Sequence, residues 1–255
     1  MSRISRILIT IIVFTAAACV GYLNAQSVSA SEVIDMVNSG KNVELTNVTI
    51  EGNLDFTQLD NMRETNTGGD RKSFRSTVKV NLSFNGCTFT GRIMGYVNEA
   101  NDNWRNQKEP IFHANFDGKV EFVNCVFKGD AHFKYSEFSG DASFSGTEFR
   151  EDALFKYTEF EEPANFSGAK FTDEANFKYT EFTDGVSFAN VEFRDDAIFK
   201  YTELRDEVSF AGAEFFAGAD FKYIKFPSGT DLTNTRFGRD TDFKYATLGG
   251  KRFSR

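Results

Sequence analysis

At 255 residues, with 40% hydrophobic and 26% charged residues, the chain has room for one folded domain and a targeting segment. Its formal charge of −8, or −10 once a leader carrying Arg3 and Arg6 is removed, argues against nucleic-acid binding across the surface. Thirty Phe against eight Tyr and one Trp is unlike a mixed aliphatic core; it suits a narrow tube that needs the same large residue at equivalent positions.

Residues 1–25 have a signal-peptide layout: Arg3 and Arg6, then an apolar run from Ile7 to Phe14, then Ala16, Ala17 and Ala18. Cleavage is expected after Ala25, with Ala30 as an alternative end and Cys19 as a candidate lipid-modified start. The protein is then exported, to the periplasm, the cell envelope or outside a bacterial cell. No later stretch is long and apolar enough to span a bilayer. Within residues 26–42 a short helix is expected: Ser29 and Glu32 have capping-box spacing, Val33, Ile34, Met36 and Val37 form an apolar stripe, and Gly40 is the stop. A solenoid has an open apolar end, so this helix is placed across the first coil.

From residue 43 to 248 one pattern dominates. Phe133-Lys-Tyr-Ser-Glu-Phe138 returns at Phe155, Phe177, Phe199, Phe221 and Phe243, every 22 residues. A related pair lies between copies, as in Phe144 to Phe149 and Phe166 to Phe171, so large apolar residues are spaced 5, 6, 5, 6. Neither a helix of period 3.6 nor a strand of period 2 has that spacing, whereas a solenoid of short strands does. Small residues such as Ala131, Ala142 and Ala153 stand two positions before the large ones and so point the same way, inward. Traced backwards, the phase passes through Phe127, Phe122, Phe116, Ile111, Phe89, Phe84 and Val78 to Leu59, Leu54, Val48 and Val43. Two insertions, near 60–77 and 90–110, leave the coil at one corner just before the face carrying Phe-Lys-Tyr, one coil apart, and should sit side by side.

Units such as Ala164-Asn165-Phe166-Ser167-Gly168, Ala175-Asn176-Phe177-Lys178-Tyr179 and Ala219-Asp220-Phe221-Lys222-Tyr223 resemble those of the pentapeptide-repeat family. The resemblance implies an all-β fold, a right-handed quadrilateral parallel β-helix of about 20 residues per coil. Here an extra residue at alternate units implies a looser corner on two of four edges. The resemblance also implies a platform whose activity lies in surface columns, and homodimerisation through the C-terminal coil. Some cytosolic relatives imitate DNA and bind type II topoisomerases, but the leader argues for another compartment. The basic tail 249–255 is too short for a covering helix, so the last coil should end under Phe253 or against a second copy.

Three features are candidates for chemistry. Lys134, Lys156, Lys178, Lys200, Lys222 and Lys244 fall at one outward position and Tyr135, Tyr157, Tyr179, Tyr201, Tyr223 and Tyr245 at the next, giving two columns up one edge. Stacked lysines repel, and Glu137, Glu159, Glu181 and Glu203 supply a compensating column until Lys225 and Thr247 end it. Trp104, with Tyr96 nearby, lies in the longest insertion, where binding residues gather or where an aromatic folds back onto the corner. Cys87 and Cys125 occupy equivalent inward positions on adjacent coils; parallel side chains would strain a bridge, so buried free thiols are expected.

His113 and His132 are isolated, and no nucleophile motif, phosphate loop or metal signature is present, so no cofactor and no catalytic residue are assigned. The expected function is a non-enzymatic, exported interaction scaffold whose partner is a protein or envelope polymer, with no nucleic acid. The alternative is glycan binding through the lysine and tyrosine columns and Trp104. An enzyme resembling β-helical polysaccharide lyases would use His113, or Lys134 with Glu137.

Overall fold

The computed structural model describes residues 26–65, 71–98 and 109–253, so the leader, Cys19 and Trp104 lie outside the described residues. Short strands of mostly two residues stack in parallel into four sheets, which wrap one continuous apolar core as a four-sided β-helix. We number the faces in chain order within a coil: Val120–Val123, Val126–Phe127, Ala131–His132 and Glu137–Phe138 open faces one to four of one coil.

The large and small residues both point inward. Phe133, Phe155 and Phe177 are fully buried, and their rings stack at 5.3 and 5.0 Å. Rings in neighbouring columns meet edge-on, as for Phe155 with Phe166 at 86°. Each such Phe contributes about 1.5–3 kcal/mol by burial, and each ring pair about 0.5–1.5 kcal/mol more. The alternating spacing has a direct cause. Corners one-to-two and three-to-four are tight turns, closed by bonds such as Ser136 N to Phe133 O and Thr147 N to Phe144 O, at 3.0 and 3.2 Å. The other two corners carry the extra residue, as the looser-corner expectation required. At the tight corners, buried threonines donate to the coil beneath: Thr158 to Phe133 O, Thr180 to Phe155 O and Thr202 to Phe177 O, all within 2.7 Å.

Ser29 caps the helix Ala30–Asn38 with both bonds of the capping box, and Val33 and Val37 are buried against the first coil. The helix is shorter than the 26–42 segment. Before it, Ser27–Ser29 is a strand that pairs parallel with Thr49–Glu51, extending face two by one level. The first coil also corrects the phase. Val43 is in register with Leu82, Val120 and Ala142, so Val43 and Val48 fill small positions while Leu45 and Ile50 fill large ones. A two-residue shift keeps every inward residue inward, so periodicity alone does not detect it where both positions are aliphatic.

The insertions do sit side by side, but largely as strands and at the corner itself. Arg63–Thr65 pairs antiparallel with Ser73–Val78, and Tyr96–Asn98 with Ile111–Phe116. Ser73–Val78 and Ile111–Phe116 pair in parallel over six residues, which joins both hairpins into a four-stranded fin projecting from face four. Ile111 therefore stands in the fin, paired with Ser73 and Asn98, and the position equivalent to Phe133 is Gly95.

At the other end Gly249 and Gly250, with φ of 55° and 77°, make a two-residue turn that brings Lys251–Arg252 back antiparallel to Thr247–Leu248. Phe253 then lies against Phe243 and Phe226, at 4.9 and 5.7 Å between centroids. The last coil ends under Phe253.

Candidate functional site

The six tyrosines form a ladder along the three-to-four corner. Successive centroids from Tyr135 to Tyr245 are 5.1, 4.8, 5.0, 4.7 and 4.8 Å apart, with planes within 26° of parallel. Every one of them has positive φ, between 59° and 64°. An aromatic residue in that region costs about 1–2 kcal/mol. The equivalent positions of the one-to-two corner are filled by residues suited to it, Gly146, Gly168, Asn190, Gly212 and Asn234. Ring stacking is the compensation at the tyrosine corner.

That stacking decides what the ladder presents. Rings about 5 Å apart along the tube and in contact at about 3.5 Å are offset, so each interior ring has both faces covered by its neighbours. What reaches solvent is ring edge and hydroxyl; only Tyr245, at 57% exposed against 37–40% for Tyr135, Tyr157, Tyr179 and Tyr223, keeps a face open. Desolvation, then the neighbouring phenols Tyr223 and Tyr179, raise the pKa of Tyr201.

The lysines accompany the rings. Lys134, Lys156, Lys178, Lys200 and Lys244 hold their ammonium 5.0–5.2 Å from the centroid of the tyrosine that follows, and Lys222 pairs with Asp220 and Asp242 at 3.1 and 3.6 Å. A groove of about 500 Å³ places Lys134 and Lys156 with His132, Asp152 and Glu174 on the face-three side. Burial, then Asp173 and Asp130, raise the pKa of Asp152. The glutamates stand on face four, across the tyrosine ridge. Glu137, Glu159, Glu181 and Glu203 are in vertical register, and their partners include Asn115 for Glu137 and Arg205 for Glu181. Desolvation, then Glu181 and Glu137, raise the pKa of Glu159. The expectation of adjacent lysine and glutamate columns is thus corrected: the ridge separates them, and the acids sharing the lysine groove belong to the two-to-three corner. Where the glutamate column ends, Tyr201, Tyr223, Leu204, Arg205 and Lys225 line a second groove of about 570 Å³.

Tyr96 is at the foot of the ladder rather than on a loop tip. It is 4% exposed, meets Tyr135 edge-on at 5.7 Å, and accepts a hydrogen bond from Lys134 at 3.4 Å. Cys87 and Cys125 are buried free thiols on adjacent coils. Each donates to a carbonyl below, Leu45 O and Phe84 O, at 3.4 Å, the role threonine takes higher up. The Cys87 sulfur and burial both raise the pKa of Cys125.

The family model described as pentapeptide repeats (9 copies) matches residues 111–159, 133–181, 155–203 and 177–225. The chain belongs to the pentapeptide-repeat family. Members are generally non-enzymatic structural or interaction proteins. No curated protein and no solved structure matches this pentapeptide-repeat protein. No described helix of it is long and apolar enough to cross a membrane.

Proposed function

We propose that this protein is a non-enzymatic, exported scaffold of the bacterial cell envelope, which holds a partner against the tyrosine ladder. The stacked ladder carries this reading. A straight ridge of phenol hydroxyls about 5 Å apart, flanked by grooves with charged walls, suits an extended partner that hydrogen-bonds along several coils. It suits sugar stacking poorly, because carbohydrate rings need open aromatic faces and the ladder's interior faces are occupied. Export rests on the layout of residues 1–25, and self-association on the half-buried Leu232, Phe237 and Phe243 of the last coil.

Photo-crosslinkers placed at Tyr179 and at position 104 in the full-length protein, in cells, test the proposal. Protein adducts at position 179 support it. Glycan adducts there, together with quenching of Trp104 by envelope saccharides, would replace it with the glycan reading.

A further inference from the structure

The fin carries a row of side chains that starts from Tyr96, at the foot of the ladder, and runs away from it. Register aligns Arg63 with Arg75, Arg75 with His113, and His113 with Tyr96, so four adjacent strands present these residues on one side. Phe74 and Phe112, stacked at 5.1 Å, mark the opposite side. Two arginines directly opposite one another repel. Among the described residues, neither the Arg63 nor the Arg75 guanidinium has a hydrogen-bond or ion-pair partner. In a chain of net charge −8, unpaired cations side by side are notable by their position. A second observation points the same way. His113 Nδ1 is buried with no hydrogen-bond partner, and a native buried polar atom in that state calls for an explanation, for which a bound ion is one candidate.

We propose that Arg63, Arg75 and His113 form a binding site for a tetrahedral oxyanion, a phosphate or sulfate group. Guanidinium forks match such oxygens bidentately, and His113 supplies one further donor from the next strand. A carboxylate's two oxygens lie in one plane, whereas a tetrahedral group directs separate oxygens toward donors on three strands. The groups facing His113 are Arg75 on one neighbouring strand and Tyr96 on the other, with Arg63 beyond Arg75 and Lys134 against Tyr96. Only Arg75 and burial act on its titration, both favouring the neutral ring; a bound anion reverses the local charge and favours the imidazolium. Its three residues adjoin the foot of the ladder at Tyr96 but are not part of it, and the proposal does not depend on the scaffold reading.

The test is a titration of the imidazole resonances of His113, assigned with a His132→Asn variant, using inorganic phosphate and inorganic sulfate at constant ionic strength. Expected are a saturable shift, a rise in the His113 pKa when phosphate is bound, and at least tenfold weaker binding in both Arg75→Gln and Arg63→Gln. Far-ultraviolet dichroism and thermal melting check that each variant is folded. Absence of saturation, equal binding by the folded variants, or acetate binding as tightly as phosphate would overturn the assignment. Glucose 1-phosphate binding as well as inorganic phosphate supports a site for a phosphate ester; inorganic phosphate binding alone supports a site for the free ion.

Discussion

Tyr179 shows how one residue can be both strained and stabilising. Its φ of 59° disfavours any side chain, while Tyr157 and Tyr201 stack on it at 4.8 and 5.0 Å. Tyr179→Ala keeps the backbone cost and loses both stacks, whereas Tyr179→Gly loses the stacks and relieves the backbone. Chemical denaturation is expected to rank wild type first, then Gly, then Ala, with Gly about 1 kcal/mol above Ala, the reverse of the usual order in regular structure. One turn residue on, Thr180 is buried and donates to Phe155 O at 2.6 Å. Thr180→Val should cost about 1 kcal/mol by the same assay, the net value of one hydrogen bond. The column of tyrosines was legible from spacing, but their left-handed backbone was not. At the opposite corner Gly and Asn announce that conformation, while Tyr carries no such local signal because a neighbouring coil, not the residue itself, compensates it.

At the scale of elements, the regular coils were readable and the departures from them less so. Identical units impose identical registers, so Ala142, Ala164 and their equivalents could be stacked by counting alone. An insertion breaks the count, and strand pairing within it depends on partners far along the chain, 12 residues apart for Arg63 with Arg75 and 38 for Arg75 with His113. The cationic row is therefore invisible in the spacing of the repeats, although His113 itself stands out as one of two histidines. The capping box was visible because its signal spans only Ser29 to Glu32. At the other end, Phe253 covers Phe243 and Phe226 through a turn that two adjacent glycines permit. Phe253→Ala should remove about 1–2 kcal/mol of local burial, less than for an enclosed Phe because the ring is only partly covered. Hydrogen exchange is expected to accelerate first at Ala246 and Thr247, whose coil loses its cover, while Phe155 and Phe177 keep their protection.

Stacking one coil on another repeats charges as faithfully as rings, and this sets how the whole molecule responds to pH. Glu159 lies in register between Glu137 and Glu181, and its pKa is raised by desolvation first and by those carboxylates second. The folded state therefore binds the Glu159 proton more readily than the unfolded chain does. Stability from this group is fully present below the unfolded carboxylate value and is lost as pH rises through the folded one. His113 works in the opposite sense. Burial, then Arg75, lower its pKa from 6.5 to about 4, so the unfolded chain binds that proton first and stability is lost as pH falls through this window. The two trends can be separated by substitution. Glu159→Gln removes the repulsion without changing shape and should stabilise the protein at pH 7 by roughly 0.5 kcal/mol, or about 1–2 °C in melting temperature. The gain should shrink as pH falls through the raised folded value and vanish below the unfolded carboxylate value, where Glu159 is protonated in both states. A gain independent of pH would mean that packing, not the stacked charges, limits stability along this face. A loss at pH 7 would mean that the attraction of Arg205, which opposes the rise in the Glu159 pKa, outweighs the repulsion of the stacked carboxylates.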